Sequence, residues 1–135
     1  MNAETAVQNK TILLVDDDED YLLQTRMQLE AAGFKVVTAG GLGEADAKLA
    51  ETNPDLVVAD LMMEYLDAGF VLCHHVKKRN PKTPVILVTA VTSETGMEFE
   101  STTGDERSWI KADAILTKPV RAEQLRREIG RLLQG

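Results

Sequence analysis

Four places in this chain carry groups suited to phosphate or to a hard cation, and each closes a short apolar run. Asp16 and Asp17 follow Thr11-Ile12-Leu13-Leu14-Val15, Asp60 ends Asp55-Leu56-Val57-Val58-Ala59-Asp60, Thr89 follows Pro84-Val85-Ile86-Leu87-Val88, and Lys118 follows Ala114-Ile115-Leu116-Thr117. Three carboxylates gathered in one place repel one another, by about 1 kcal/mol per pair in water and several times more near a protein interior. Either their pKa values rise or a cation is present. A hard divalent ion that takes oxygen ligands and keeps positions open for water and phosphate answers the description of Mg²⁺. One lysine carries too little charge to replace it. Mg²⁺ and Lys118 flanking Asp60, with the Thr89 hydroxyl nearby, would stabilise negative charge on a transferring phosphoryl group, and Asp60 would be the nucleophile. Each residue also has a plainer reading: Asp60 as a turn or helix cap, the acidic run at 16–20 as a solvated helix start, Thr89 as a strand residue, Lys118 as a surface lysine. The coincidence of all four at strand ends favours the chemistry.

The elements that must hold these groups are legible from periodicity. Residues 11–15, 34–38, 55–60, 84–88 and 114–117 read as short strands, and the central run at 55–60, apolar without polar alternation, suits a strand buried on both faces. Between them, helical spacing marks 21–32 (Leu22, Thr25, Leu29), 42–51 (Leu42, Ala45, Leu49), a third helix with Gly69, Leu72, Cys73 and Val76 on one face, and 121–133 (Leu125, Ile129, Leu132, Leu133). Gly33 ends the first helix as a C-cap, and Lys77, Lys78 and Arg79 stand at the end of the third, where cations suit the dipole. Five alternations of strand and helix imply an α/β fold, a parallel sheet with helices on both faces. In such a sheet ligands bind at the carboxyl ends of the strands, where all four groups stand.

The totals narrow the function. At 135 residues the chain is expected to be one domain, 11–135, behind a flexible arm at 1–10. The lone Cys73 allows no intramolecular disulfide, no Cys/His metal framework exists, and no apolar signal core or eighteen-residue apolar run is present. A cytoplasmic protein is the expectation. The net charge of −7 argues against direct nucleic-acid binding and against attachment to anionic membranes.

At these residues the chain resembles the receiver domain of two-component response regulators. The resemblance rests on Ile12-Leu13-Leu14-Val15-Asp16-Asp17, Asp55-Leu56-Val57-Val58-Ala59-Asp60-Leu61-Met62-Met63, Val85-Ile86-Leu87-Val88-Thr89-Ala90 and Leu116-Thr117-Lys118-Pro119. It implies a flavodoxin-like three-layer α/β/α fold whose five parallel strands run in the order 2-1-3-4-5. It implies that Asp60 accepts a phosphoryl group from the phosphohistidine of a sensor histidine kinase or phosphotransfer protein, and that the chain is a signalling domain, not an enzyme acting on an outside substrate. Asp17, Asp60 and the Met62 carbonyl would ligate Mg²⁺, with Asp16 acting through water, and Thr89 and Lys118 would contact the phosphoryl oxygens. A downstream target or output domain would meet residues 91–112 and the last helix.

Three departures stand out. The usual Pro-Gly and Asp-Gly after the phosphoacceptor are replaced by Glu64-Tyr65-Leu66-Asp67-Ala68-Gly69, apparently one residue longer. Ile115 occupies the position three before the lysine, commonly Tyr or Phe. The stretch from Thr89 to Lys118 is long, and 91–112 within it reads as ordered loop with a short helix near 105–110, offering Phe99 and Trp109 either as partner anchors or as local core plugs. Two rivals are weaker. A haloacid-dehalogenase-type phosphatase lacks its late acidic pair and leaves Asp60 unexplained, whereas a phosphate-independent receiver-like adaptor would have no need of all these site residues.

Overall fold

A computed structural model of the chain describes residues 9–61, 68–90 and 112–134. Among these, five strands form one parallel sheet: β1 (Thr11–Val15), β2 (Lys35–Ala39), β3 (Leu56–Asp60), β4 (Val85–Ala90) and β5 (Ala114–Lys118), in the spatial order β2-β1-β3-β4-β5. Four helices connect or follow them: α1 (Glu19–Ala31), α2 (Leu42–Thr52), α3 (Ala68–Arg79) and α4 (Ala122–Gln134). The α/β class and the strand order expected from the sequence are both present. The segments 62–67 and 91–111, with Met62, Phe99, Trp109 and the helix expected at 105–110, lie outside the described residues, as do 1–8 of the arm.

The unbroken apolar runs have a simple cause, because each strand feeds two cores by alternation. Ile12 and Leu14 of β1, Leu56 and Val58 of β3, and Ile86 and Val88 of β4 join Leu22 and Leu29 of α1 and Leu125 and Ile129 of α4. Leu13, Val15, Val57, Ala59, Val85 and Leu87 join Ala45 and Leu49 of α2 and Leu72, Cys73 and Val76 of α3 on the other face. All five residues of β3 are buried, whereas the edge strands β2 and β5 are only partly so.

Element ends are set by local chemistry. Asp18 is the N-cap of α1, its Oδ1 accepting from the N–H groups of Asp20 at 3.1 Å and Tyr21 at 3.2 Å. The helix therefore begins at Glu19, ahead of the 21–32 expected from the apolar pattern. At its other end Gly33 adopts a φ of 103°, and the N–H groups of Gly33 and Phe34 donate to the carbonyls of Glu30 and Leu29. This is the Schellman arrangement, and it turns the chain into β2. Asn9 donates to the Gly33 carbonyl and Lys35 to that of Lys10, so the last two residues of the expected arm run alongside the sheet.

The amino-terminal edge of the sheet is also pinned by side chains. Asp55 accepts from the Thr11 N–H at 2.8 Å, and Asp113 accepts from the Val85 N–H at 2.8 Å and from the Lys77 ammonium at 2.7 Å. Lys77, read from the sequence as one of three cations facing the helix dipole, thus also ties the end of α3 to the start of β5.

Candidate functional site

The parallel register brings the four strand ends to one edge. Asp60 is the last residue of β3 and pairs with Val88; Thr89 pairs with Thr117, and Ala90 with Lys118. Asp16 follows β1 directly, its N–H donating to the Ala39 carbonyl at 3.1 Å. Because β1 and β3 are neighbours, one interstrand step separates the bases of the Asp16 and Asp60 side chains.

Carboxylate oxygens of Asp16, Asp17 and Asp60 lie within 4.8 Å of one another. Asp17 is exposed, whereas Asp16 keeps only 1% of its surface and Asp60 9%. Lys118, reaching back from β5, places its ammonium 2.9 Å from Asp60 Oδ2 and 3.4 Å from Asp16 Oδ2. Thr89 is buried on β4, on the strand between those of Asp60 and Lys118. By alternation it shares the face of Val85 and Leu87, while Asp60 shares that of Val58 and Lys118 that of Leu116. Asp16, Asp17, Asp60 and Lys118 thus bring their side chains together, while Thr89 stands at the same edge of the sheet; the sixth candidate group, the Met62 carbonyl, lies outside the described residues.

The electrostatics follow from crowding and burial. Burial pushes the Asp16 carboxyl up from 3.8 to about 6; a hydrogen bond from the Asp18 N–H opposes this, while the charge of Asp60 adds to it and that of Lys118 subtracts. Burial alone would lower Lys118, but its hydrogen bond to Asp60 and the charges of both aspartates outweigh that and raise it. Lys118 is therefore a fixed cation set between two acids.

Two residues to which the sequence reading gives no part in the site complete it. The Tyr21 ring lies beside the lysine, its centroid 5.1 Å from Lys118 Nζ, and burial raises its phenol, against a hydrogen bond with Thr25. Gly69, the second residue of α3, donates its N–H to the Leu61 carbonyl at 2.8 Å. A Cβ on Gly69 would stand 2.6 Å from Leu61 Cα and 2.7 Å from the Asp60 carbonyl oxygen. The start of α3 therefore sits directly on the backbone carrying Asp60.

A family model described as response regulator receiver domain matches residues 12–130. The chain belongs to the response regulator receiver domain family. It is similar to the alkaline phosphatase synthesis transcriptional regulatory protein PhoP of Bacillus subtilis, at 34% identity over 93% of this chain and 49% of that one. A receiver domain protein from Clostridium thermocellum superposes with a TM-score of 0.78 at 26% identity, covering 93% of this receiver and 94% of the other. The response regulator TrrA of Thermotoga maritima, solved in complex with Mg²⁺ and BeF, gives 0.73 at 26% identity, covering 91% and 98%. The chain spans about half the length of the first of the curated relatives it matches.

Two outcomes are expected from this receiver's site. Since Asp16 binds its proton more tightly folded than unfolded, its ionisation destabilises the fold progressively as pH rises from about 4 to about 6, and fully above that. In metal-free buffer Asp16→Asn, which keeps an acceptor for the Asp18 N–H, should be more stable than the native chain at pH 7 by about 1–3 kcal/mol, the gap closing towards pH 4. Thermal denaturation across that range measures it, and a native chain at least as stable at pH 7 would contradict it. Gly69→Ala forces a methyl group against the backbone of Asp60 and Leu61 and should cost about 1–3 kcal/mol, read as a lower urea midpoint; an unchanged midpoint would show that the strand end gives way freely.

Proposed function

We propose that this receiver accepts a phosphoryl group on Asp60 and signals through the resulting change in conformation. The observation that carries this is the lysine ammonium held 2.9 Å from the buried Asp60 carboxylate, beside two further acids within 4.8 Å. The donor is the phosphohistidine of a sensor kinase or phosphotransfer protein. A carboxylate oxygen of Asp60 forms the new P–O bond, the P–N bond to the imidazole breaks, and the histidine leaves as the neutral ring after taking up a proton. Lys118 meets the charge on the phosphoryl oxygens, and the Thr89 hydroxyl donates to one of them.

The donor set fits Mg²⁺. An octahedral ion with oxygen ligands at about 2.0–2.1 Å places opposite ligands about 4 Å apart, compatible with carboxylates already within 4.8 Å. Asp17, Asp60 and the Met62 carbonyl would hold the ion directly and Asp16 through water. When bound it neutralises charge on the acids and on the incoming phosphoryl group. That a structural relative was solved with Mg²⁺ and BeF supports the same chemistry here.

The domain is taken to run over 11–135. Its downstream target or output domain would read 91–112 and α4. Among the described residues no helix is long and apolar enough to cross a membrane, and a cytoplasmic location agrees with a kinase partner. With Ile115 packed against the α2 and α3 side of the sheet, switching would proceed without an aromatic at that position.

Intact-mass analysis after incubation with acetyl phosphate tests the reading. A gain of one phosphoryl group that requires Mg²⁺ and is absent from Asp60→Asn is expected. A folded native chain that gains none, and that also fails to bind beryllofluoride, would favour the phosphate-independent adaptor.

A further inference from the structure

Tyr21 has no part in the transfer described above, yet its ring is built into the site. Asp16 Oδ1 accepts from the Asp18 N–H at 3.0 Å, Asp18 Oδ1 accepts from the Tyr21 N–H at 3.2 Å, the Tyr21 ring faces Lys118 Nζ at 5.1 Å, and Lys118 Nζ returns to Asp16 Oδ2 at 3.4 Å. These contacts close a circuit through the N-cap of α1. A lysine ammonium within about 6 Å of an aromatic centroid is attracted to the ring face, and more strongly where water is partly excluded. Tyr21 is half-buried, and Lys118 keeps 31% of its side-chain surface. The side chain of Ile115 packs with the opposite core, so β5 supplies no aromatic to this face. The lysine comes from two strands away on a flexible stem, and without a second support it would sample many rotamers.

Resting on the phosphoacceptor reading of Asp60, we propose that Tyr21 is the positioning residue for Lys118: its ring, presented by the first turn of α1, holds the ammonium at the gap between Asp16 and Asp60, where the phosphoryl oxygens will arrive. The ring matters, not the hydroxyl, which is engaged with Thr25.

The test pairs a readout that needs no phosphate with one that does. The ε-methylene protons of Lys118 should show a ring-current shift in the native chain and in Tyr21→Phe, and lose it in Tyr21→Leu, which keeps apolar bulk. The rate of Mg²⁺-dependent phosphorylation by acetyl phosphate should stay within about twofold for Tyr21→Phe and fall about threefold to tenfold for Tyr21→Leu. In a Lys118→Ala background the Leu substitution should change the rate by less than about twofold, since nothing remains to be positioned. No ring-current shift in the native chain, or an equal loss of rate in both backgrounds, overturns the proposal and leaves Tyr21 as packing. A native chain that shows the shift but takes up no phosphoryl group supports the placement of Lys118 and contradicts the receiver chemistry instead.

Discussion

Like charge crowded at a low-dielectric edge is the constraint on which the rest of the site depends. Asp16 and Asp60 end neighbouring strands and are both buried. At an effective dielectric constant of about 20, two such charges within 4.8 Å repel by roughly 3 kcal/mol. Asp17 adds a third at the solvent side. Lys118 offsets part of this by pairing with both buried acids, and burial, more than the charge of Asp60, keeps the Asp16 carboxyl raised. A fold that carries such an edge gains stability from whatever supplies more positive charge, which couples ligand binding at this edge to the rest of the domain.

The sheet order explains the choice of residue types. With β4 between β3 and β5, a cation from β5 must cross about two interstrand spacings to reach Asp60. The lysine stem and the Asp60 side chain extending towards it close that gap together, ending 2.9 Å apart, and a hydroxyl on the intervening strand needs no such length. The demand for a long side chain creates the need to hold it, and the first turn of α1 meets that need with an aromatic ring. Asp18 orients this turn through two backbone hydrogen bonds, so one helix cap serves both the helix and the lysine. Gly69 plays the corresponding part for Asp60 from the other side of the sheet, by letting α3 begin against the strand's own backbone.

Much of this was legible in the sequence. Strands buried on both faces leave unbroken apolar runs, and parallel connectivity sends all their carboxyl ends to one edge, so Asp16, Asp17, Asp60, Thr89 and Lys118 could be grouped before any coordinate was known. Boundaries slipped by a residue or two where polar caps extend a helix beyond its apolar stripe, as at Glu19. Contacts between elements distant in the chain were not legible. Tyr21 reads as the rim of an amphipathic helix, Gly69 as one more small residue on a buried face, and Lys77 as a dipole partner, because the groups they meet are brought close only by the tertiary fold. The Asp46 carboxylate and His75 Nδ1, 2.9 Å apart across α2 and α3, are a further such pair, joining helices whose separate patterns predict nothing of each other.

The most direct measurement is the thermal stability of the native chain titrated with Mg²⁺ at pH 7, alongside the Asp17→Asn/Asp60→Asn double variant. If the three carboxylates form an uncompensated cation site, Mg²⁺ should raise the melting temperature of the native chain progressively, by mass action on the folded state, and should leave the variant nearly unmoved. A native chain whose melting temperature does not respond to millimolar Mg²⁺, or a variant that responds equally, would contradict the account.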